Sequence, residues 1–291
     1  MKKKPIVAGI GELLWDVLPT GKQVGGAPCN FAFHAMQAGC ESYVISAIGK
    51  DGLGEELINE LEKLNLNAGY IQHNHYPTGT VTVNLSELGH PTYIIHENTA
   101  WDNILQTPET MEKIMECDAV CFGSLGQRNS VSAVTIQHLL AAVEPSCLKV
   151  FDINLRQHFY SPEIITKSLE FADVLKLNDE ELPILSDMFS FNGELKNQLK
   201  QLLNRFNLQT MVYTMGEKGS IILNNKEFSF MESPQVVVAD TVGAGDSFTA
   251  VLVSGVLKGV ELTKIHEAAI RTAAYVCTQK GATPVIPFDI F

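Results

Sequence analysis

Apolar and polar positions follow two rhythms along this chain, and the rhythm changes near Trp101. Residues 6–10 form a short apolar run ending in Gly-Ile-Gly, which predicts a buried strand. Asn30 then precedes an apolar stretch closed by Gly39, predicting a helix with an asparagine N-cap and a C′ glycine. Residues 43–48 predict the next strand. Residues 53–64 have helical spacing, with Glu55 and Glu56 in the first turn. Strict alternation at 80–85, turn residues at 87–91 and a second run at 92–96 predict an antiparallel hairpin. Its apolar face would carry Val81, Val83 and Leu85, and its polar face Thr80, Thr82 and Asn84. After Trp101, apolar strands at 119–123, 148–152, 174–177, 210–215 and 220–223 are interleaved with or followed by helical patterns at 132–143, 194–206 and 247–258. Repeated strand–helix units imply a parallel sheet covered by helices on both faces.

Composition narrows this picture. The 291 residues are 45% hydrophobic and 19% charged, an ordinary balance for a packed protein. Length alone allows one large α/β domain or two smaller ones. The absence of a linker or low-complexity stretch favours one domain over 1–291, with the hairpin region as an insertion. Net charge is −12, and the only basic run is Lys2-Lys3-Lys4, so nucleic acid is not an expected partner. No apolar stretch reaches membrane-spanning length, and residues 5–9 are too few for a signal peptide's apolar region. The expectation is a cytoplasmic protein with no membrane partner. Cys29, Cys40, Cys117, Cys121, Cys147 and Cys277 are scattered in apolar contexts without metal-binding spacing, and are expected as free, mostly buried thiols. His73 and His75 share a strand face without a third ligand, and are expected as exposed histidines of the lid.

The strongest chemical signal is Asp240-Thr241-Val242-Gly243-Ala244-Gly245-Asp246, which leads into an apolar helix. Small residues allow close backbone approach to an anion, and the free amides of a helix start point at it. A phosphoryl group in transfer needs such a cradle. Asp246, at the same helix start, can take the proton from an attacking hydroxyl. Taken alone, the same run also fits a glycine turn with an acidic first-turn residue. No GxxxxGK[ST] loop is present, and Gly9-Ile10-Gly11 lacks the third glycine of a dinucleotide fingerprint.

A second signature accompanies it: Val24-Gly25-Gly26-Ala27-Pro28-Cys29-Asn30 before an Ala-rich helix, with Gly49-Lys50-Asp51-Gly52 further on. Together, in this order and separation, the two signatures resemble those of the ribokinase-like (PfkB) carbohydrate kinases, across essentially the whole chain. The resemblance implies a three-layer α/β/α sandwich with a small β-sheet lid, inserted at about 12–24 and 70–100. It implies Asp246 as catalytic base, Gly243, Ala244 and Gly245 as the anion cradle, and Arg156, from Asp152-Ile153-Asn154-Leu155-Arg156, near the transferred phosphate or the substrate. Asp16, Gly25, Gly26 and Asn30 would bind the sugar. Asn178, in Asn178-Asp179-Glu180-Glu181, and Thr214, Gly216 and Gly219 would meet the nucleotide. Glu181 would hold Mg2+ through water. Asp240, with carbonyls near Val242, Val276, Gln279 and Gly281, would bind K+. ATP is the implied cosubstrate, and a homodimer joined through the lid the implied assembly, with the hairpin's apolar face packed on the partner's lid and its polar face closed over the sugar. Gly11-Glu12-Leu13-Leu14-Trp15-Asp16-Val17-Leu18-Pro19 is similar to the opening of bacterial fructokinases, and His96 to Asp102 to their lid exit, so fructose is the expected sugar. Ribokinase carries a lysine where Ala27 stands, which argues against ribose. 2-Keto-3-deoxygluconate and other ketoses are the alternatives, as is a sugar-binding regulator without activity.

Overall fold

The computed structural model describes residues 3–85 and 91–290, with 83–85, 91 and 92 described by backbone alone. The predicted turn at 87–91 therefore lies almost entirely outside the described residues. In chain order the strands are β1 (Ile6–Ile10), β2 (Leu14–Leu18), β3 (Gly21–Gly25), β4 (Glu41–Gly49), β5 (Ile71–Asn74), β6 (Gly79–Leu85) and β7 (Pro91–Ile95). They continue as β8 (Ala119–Phe122), β9 (Leu148–Asp152), β10 (Val174–Asn178), β11 (Thr210–Thr214), β12 (Ser220–Asn224) and β13 (Phe228–Met231). The helices are α1 (Ala27–Gln37), α2 (Gly52–Lys63), α3 (Pro108–Met115), α4 (Ser130–Ala142), α5 (Pro162–Phe171), α6 (Glu181–Phe189), α7 (Leu195–Arg205), α8 (Ala244–Leu257) and α9 (Leu262–Cys277).

Nine strands make one sheet in the order β13-β12-β11-β10-β9-β8-β1-β4-β5. Pairing is parallel from β5 to β11 and antiparallel for β12 and β13. Successive strand residues point to opposite faces, and both faces are apolar. In β1, Ile6, Ala8 and Ile10 join a core with helices α3 to α7, while Val7 joins α1, α8 and α9 on the other side. Burial on both faces explains why these strands read as continuous apolar runs rather than as alternation. The chain order runs outward in both directions from the β1/β8 pair. Such a switch point opens a crevice beyond the carboxyl ends of the strands.

The second sheet has four strands in the order β3-β2-β6-β7. It draws on two chain segments, β2 and β3 from 14–25 and β6 and β7 from 79–85 and 91–95. β5 pairs with β4 in the large sheet, so His73 lies there and not in the lid. The hairpin's faces also differ from expectation. Val81 is in register with Asp16 and Ile95, and in-register neighbours share a face. Val81 and Ile95 are buried with Leu14, Trp101, Leu125 and Phe159. The Val81 face therefore turns toward the body of the molecule and carries Asp16 with it. Alternation in sequence marks two faces but does not say which one a neighbouring element will cover.

Two helix starts also move. α1 begins at Ala27, with Gly26 as N-cap at φ 112° and Pro28 in its first turn, where proline's fixed φ is compatible with the helix. Asn30 is consequently inside the helix rather than at its cap. α8 begins at Ala244, capped by Gly243 at φ 80°, so Ala244, Gly245 and Asp246 are its first turn instead of a preceding loop. All six cysteines are free, and all but Cys277 are buried. Among the described residues no helix is long and apolar enough to cross a membrane.

Candidate active site

The site is assembled from the carboxyl ends of β1, β9, β10 and β11 and from the first turns of α1 and α8. Gly243 forms the turn into α8. A β-carbon there would sit 2.5 Å from the Ala282 carbonyl oxygen, and the positive φ disfavours any side chain. The amides of Gly245 and Asp246 belong to the set that helix geometry leaves without an intrahelical acceptor. They meet the positive end of the helix dipole, where an anion is favoured.

Asp246 is gripped from the other signature. Asn30 Nδ2 donates to Asp246 Oδ2 at 2.8 Å, across 216 residues of sequence. Desolvation, with Asp152 adding repulsion, raises the Asp246 carboxyl to about 6, against the pull of Lys176, Asn30 and Arg156. A base whose pKa lies just below neutral is ionised at neutral pH and still basic enough to take a hydroxyl proton as the transfer proceeds. By surface area Asp246 is only half-buried, so it remains reachable from the crevice.

Under the cradle lies a buried ion pair whose members were visible in the sequence but had no role assigned. Lys176 Nζ donates to Asp152 Oδ1 at 3.0 Å. Thr249 Oγ1 donates to Asp152 Oδ2 at 3.1 Å and to the Gly245 carbonyl at 3.0 Å. A β-carbon on Gly245 would be 2.8 Å from Lys176 Nζ, so glycine lets the ammonium lie directly beneath the cradle. Burial opposes the charge on Lys176, but Asp152, Glu181 and Asp246 outweigh it and hold its proton affinity above the ordinary value. The signal available in sequence was a lysine inside an apolar strand. Lysine is almost never fully buried unless it is paired.

The predicted sugar residues converge from the small sheet. Asp16 lies in β2, and a β-carbon on Gly25 would be 2.3 Å from Asp16 Oδ2. Gly25 thus makes room for that carboxylate. Desolvation raises Asp16 to about 6, with Arg156 opposing and Asp240 assisting. Arg156 is exposed, and its guanidinium donates to the Leu155 carbonyl. Asp51 ties the loop after β4 to the lid's entry, accepting from Gly54 N, Thr78 N and Thr78 Oγ1.

Asn178 and Glu181 form a reciprocal cap. Asn178 Oδ1 accepts from Glu180 N and Glu181 N, and Glu181 Oε2 accepts from Asn178 N at 2.8 Å. Glu181 Oε1 accepts from Leu155 N, and the residue is 3% exposed. Glu181 therefore fixes the loops after β9 and β10. Thr214 stands opposite Asn178 in register. Gly216 and Gly219, at φ 56° and 108°, shape the turn that follows β11. Asp240 joins two loops: Oδ1 accepts from Val242 N and Oδ2 from Gly281 N, both at 3.1 Å. That ties the amides of Val242 and Gly281 to one side chain, with Val276 and Gln279 in the adjoining turn.

A model described as pfkB family carbohydrate kinase matches residues 11–289. A sugar kinase of Pyrococcus horikoshii is 29% identical over 297 residues, spanning 95% of this chain and 91% of its own. Its ATP-bound crystal structure superposes with a TM-score of 0.82 at 28% identity, covering 96% and 94% of the two chains. An ATP-dependent 6-phosphofructokinase of Thermoanaerobacterium thermosaccharolyticum is 26% identical, covering 98% and 92%. Fructokinase-2 of Solanum lycopersicum is 26% identical, covering 97% and 93%.

Proposed function

From the premise that this chain belongs to the pfkB family of carbohydrate kinases and is an ATP-dependent sugar kinase, we propose that its acceptor is the primary hydroxyl of D-fructose and its product fructose 6-phosphate. The observation that carries the reading is the Asn30–Asp246 hydrogen bond, which joins the sugar-side helix to the anion cradle. Fructose is supported by the Gly11 to Pro19 opening, by Ala27 in place of lysine, and by the similarity to a fructokinase.

Asp16, Gly25, Gly26 and Asn30 hold the sugar so that the reacting hydroxyl faces Asp246. Asp246 accepts its proton. The amides of Gly243, at the cap, and of Ala244, Gly245 and Asp246, in the first turn, take up the charge that develops on the transferred group. Lys176 beneath Gly245 adds a fixed positive charge, and Arg156 reaches the same anion from the crevice mouth. Asn178, Thr214, Gly216 and Gly219 lie along the nucleotide's side of the crevice. When bound, Mg·ATP supplies the phosphoryl group. Glu181 is suited to orient the metal's waters, because a hard cation of this kind keeps much of its hydration. The Asp240 junction with the carbonyls of Val242, Val276, Gln279 and Gly281 suits K+, which would stiffen the cradle without touching the sugar. Replacing K+ by a large organic cation at constant ionic strength should lower kcat; equal rates would remove that site.

The test of the sugar assignment is ADP release with Mg·ATP and a panel of sugars, sugar phosphates and nucleosides. Fructose should give the highest kcat/KM, with kcat in the range of about 1–100 s⁻¹ usual for kinases. A tenfold advantage for 2-keto-3-deoxygluconate, fructose 6-phosphate or a nucleoside would overturn it.

A further inference from the structure

The crevice floor holds one more acidic side chain. Glu12 follows β1 by two residues, at the β1/β8 switch point, and is 2% exposed. Its Oε2 is buried with no hydrogen-bond partner among the described residues, and Asn30 Oδ1 is in the same condition. Two unpartnered acceptors on the elements that carry the site are costly to bury. They are understandable where a ligand supplies the missing donors.

The backbone around Glu12 is built to admit it. A β-carbon on Gly126 would lie 2.9 Å from Gly11 Cα and 3.4 Å from Glu12 Oε2, and one on Gly26 would lie 2.3 Å from the Glu12 carbonyl oxygen. Side chains at either glycine would displace the segment that holds Glu12. The electrostatic surroundings are those of the base. Burial raises the Glu12 carboxyl to about 7; its own backbone N–H and that of Ala27 oppose, Asp246 adds to the rise, and Arg156 counters. Hydroxyl hydrogens are the donors a sugar brings in number, and a carboxylate can accept two of them.

We propose that Glu12 is a sugar-binding residue: together with Asn30 Oδ1 it accepts hydroxyl hydrogens of the acceptor sugar from the large-sheet side, while Asp16 approaches from the small sheet and Asp246 is left for the reacting hydroxyl. This rests on the reading of the Asp246 crevice as the sugar site.

A purely structural glutamate and a ligand-binding one respond oppositely to Glu12→Leu. Leucine has similar bulk and removes a buried carboxyl whose Oε2 has no partner, at the loss of an acceptor for the backbone N–H groups of Glu12 and Ala27, so the melting temperature should change little. The kcat/KM for the best sugar of the panel should fall by about 10-fold or more, the scale of a lost hydrogen bond to a charged group. KM for ATP should stay within about twofold, and the sugar should no longer raise the melting temperature. Sugar kcat/KM within twofold of wild type overturns the proposal, whatever the stability. If Glu12→Leu does not fold, Glu12→Gln decides: at least about a threefold rise in sugar KM supports the role, and a smaller change overturns it. A wild-type protein that phosphorylates no sugar would defeat the kinase reading itself, a result distinct from either.

Discussion

The floor of the crevice and the small sheet above it hold their polar groups in different ways. At the floor, Lys176, Asp152, Thr249, Gly245, Asn30 and Asp246 are linked by side-chain hydrogen bonds that leave little freedom. The small sheet is held at separate points: Trp15 Nε1 donates to the Leu53 carbonyl, Gln157 Nε2 donates to the Tyr93 carbonyl, and Arg128 grips the exit of β7. Arg128 Nε and Nη2 donate to the two oxygens of Asp102 at 2.7 and 2.8 Å, and Nη2 also donates to the His96 carbonyl just after β7. The guanidinium lies 4.0 Å from the Trp101 ring centroid. β7 is an edge strand with Tyr93 and Ile94 about half exposed. A rigid floor suits charge stabilisation, which depends on groups that need not reorganise. A sheet held by separate contacts along its border, rather than by a connected buried network, suits a cover that closes on a sugar and excludes water. On the proposed reading the floor fixes the chemistry, and the cover contributes to which sugar is held.

The sharpest way to break this contrast is at the floor. Asp246→Asn should lower kcat by roughly 10²–10⁴ while leaving ATP affinity nearly unchanged. Stability should not fall, because the substitution removes a carboxyl whose charge is disfavoured by burial. Steady-state kinetics and a thermal melt check both, and a near-wild-type kcat would remove Asp246 from its role.

At the lid's anchor, Arg128→Met should cost about 3–5 kcal/mol, since it leaves Asp102 buried without its cation. Because the anchor sits beside His96, sugar KM should rise while KM for ATP does not. Denaturant melts and paired KM measurements test this. Equal rises in both constants would mean that Arg128 supports the whole body rather than the cover.

The smallest effect is expected at the outer edge. A lid-to-lid homodimer would cover Tyr93 and Ile94, so Ile94→Asp should shift a dimer toward monomer in light scattering with little change in melting temperature. A wild type that is monomeric and fully active at micromolar concentration would dismiss the dimer.

The sequence made the floor legible where function demanded special residues. Gly243 needs a positive φ and has the Ala282 carbonyl against its Cα, and Asn30 and Asp246 stood in recognisable runs. Glu12 and Asp152 stood inside quoted runs but had no role assigned, because only the fold shows that each carboxyl is buried beside the crevice. Strand periods were readable because the large sheet is covered on both faces. The lid's inward face was misjudged, because Val81 packs against Trp101 and Phe159, and nothing local to the hairpin announces those partners. α9 was not anticipated, although it packs extensively on α8; its alanine-rich stripe lacks a capping side chain at Glu261, so no stop or start signal marked it.

The central claim is that a carboxyl raised by burial serves as the base, and the pH dependence of kcat/KM tests it most directly. Burial raises Asp246 to about 6 and Glu12 to about 7. The base works only when ionised, so activity should be full above these values and be lost as pH falls through them. Because the two carboxyls are coupled, the limb belongs to the pair. The same raised values mean that folding stability should decline as pH rises from about 4 to about 7, since the native state binds these protons more tightly than the unfolded chain. At saturating Mg·ATP, log kcat/KM for sugar should therefore fall with unit slope below an apparent pKa between about 6 and 7. A profile that stays level down to pH 5, in a protein that remains folded there, would contradict the account.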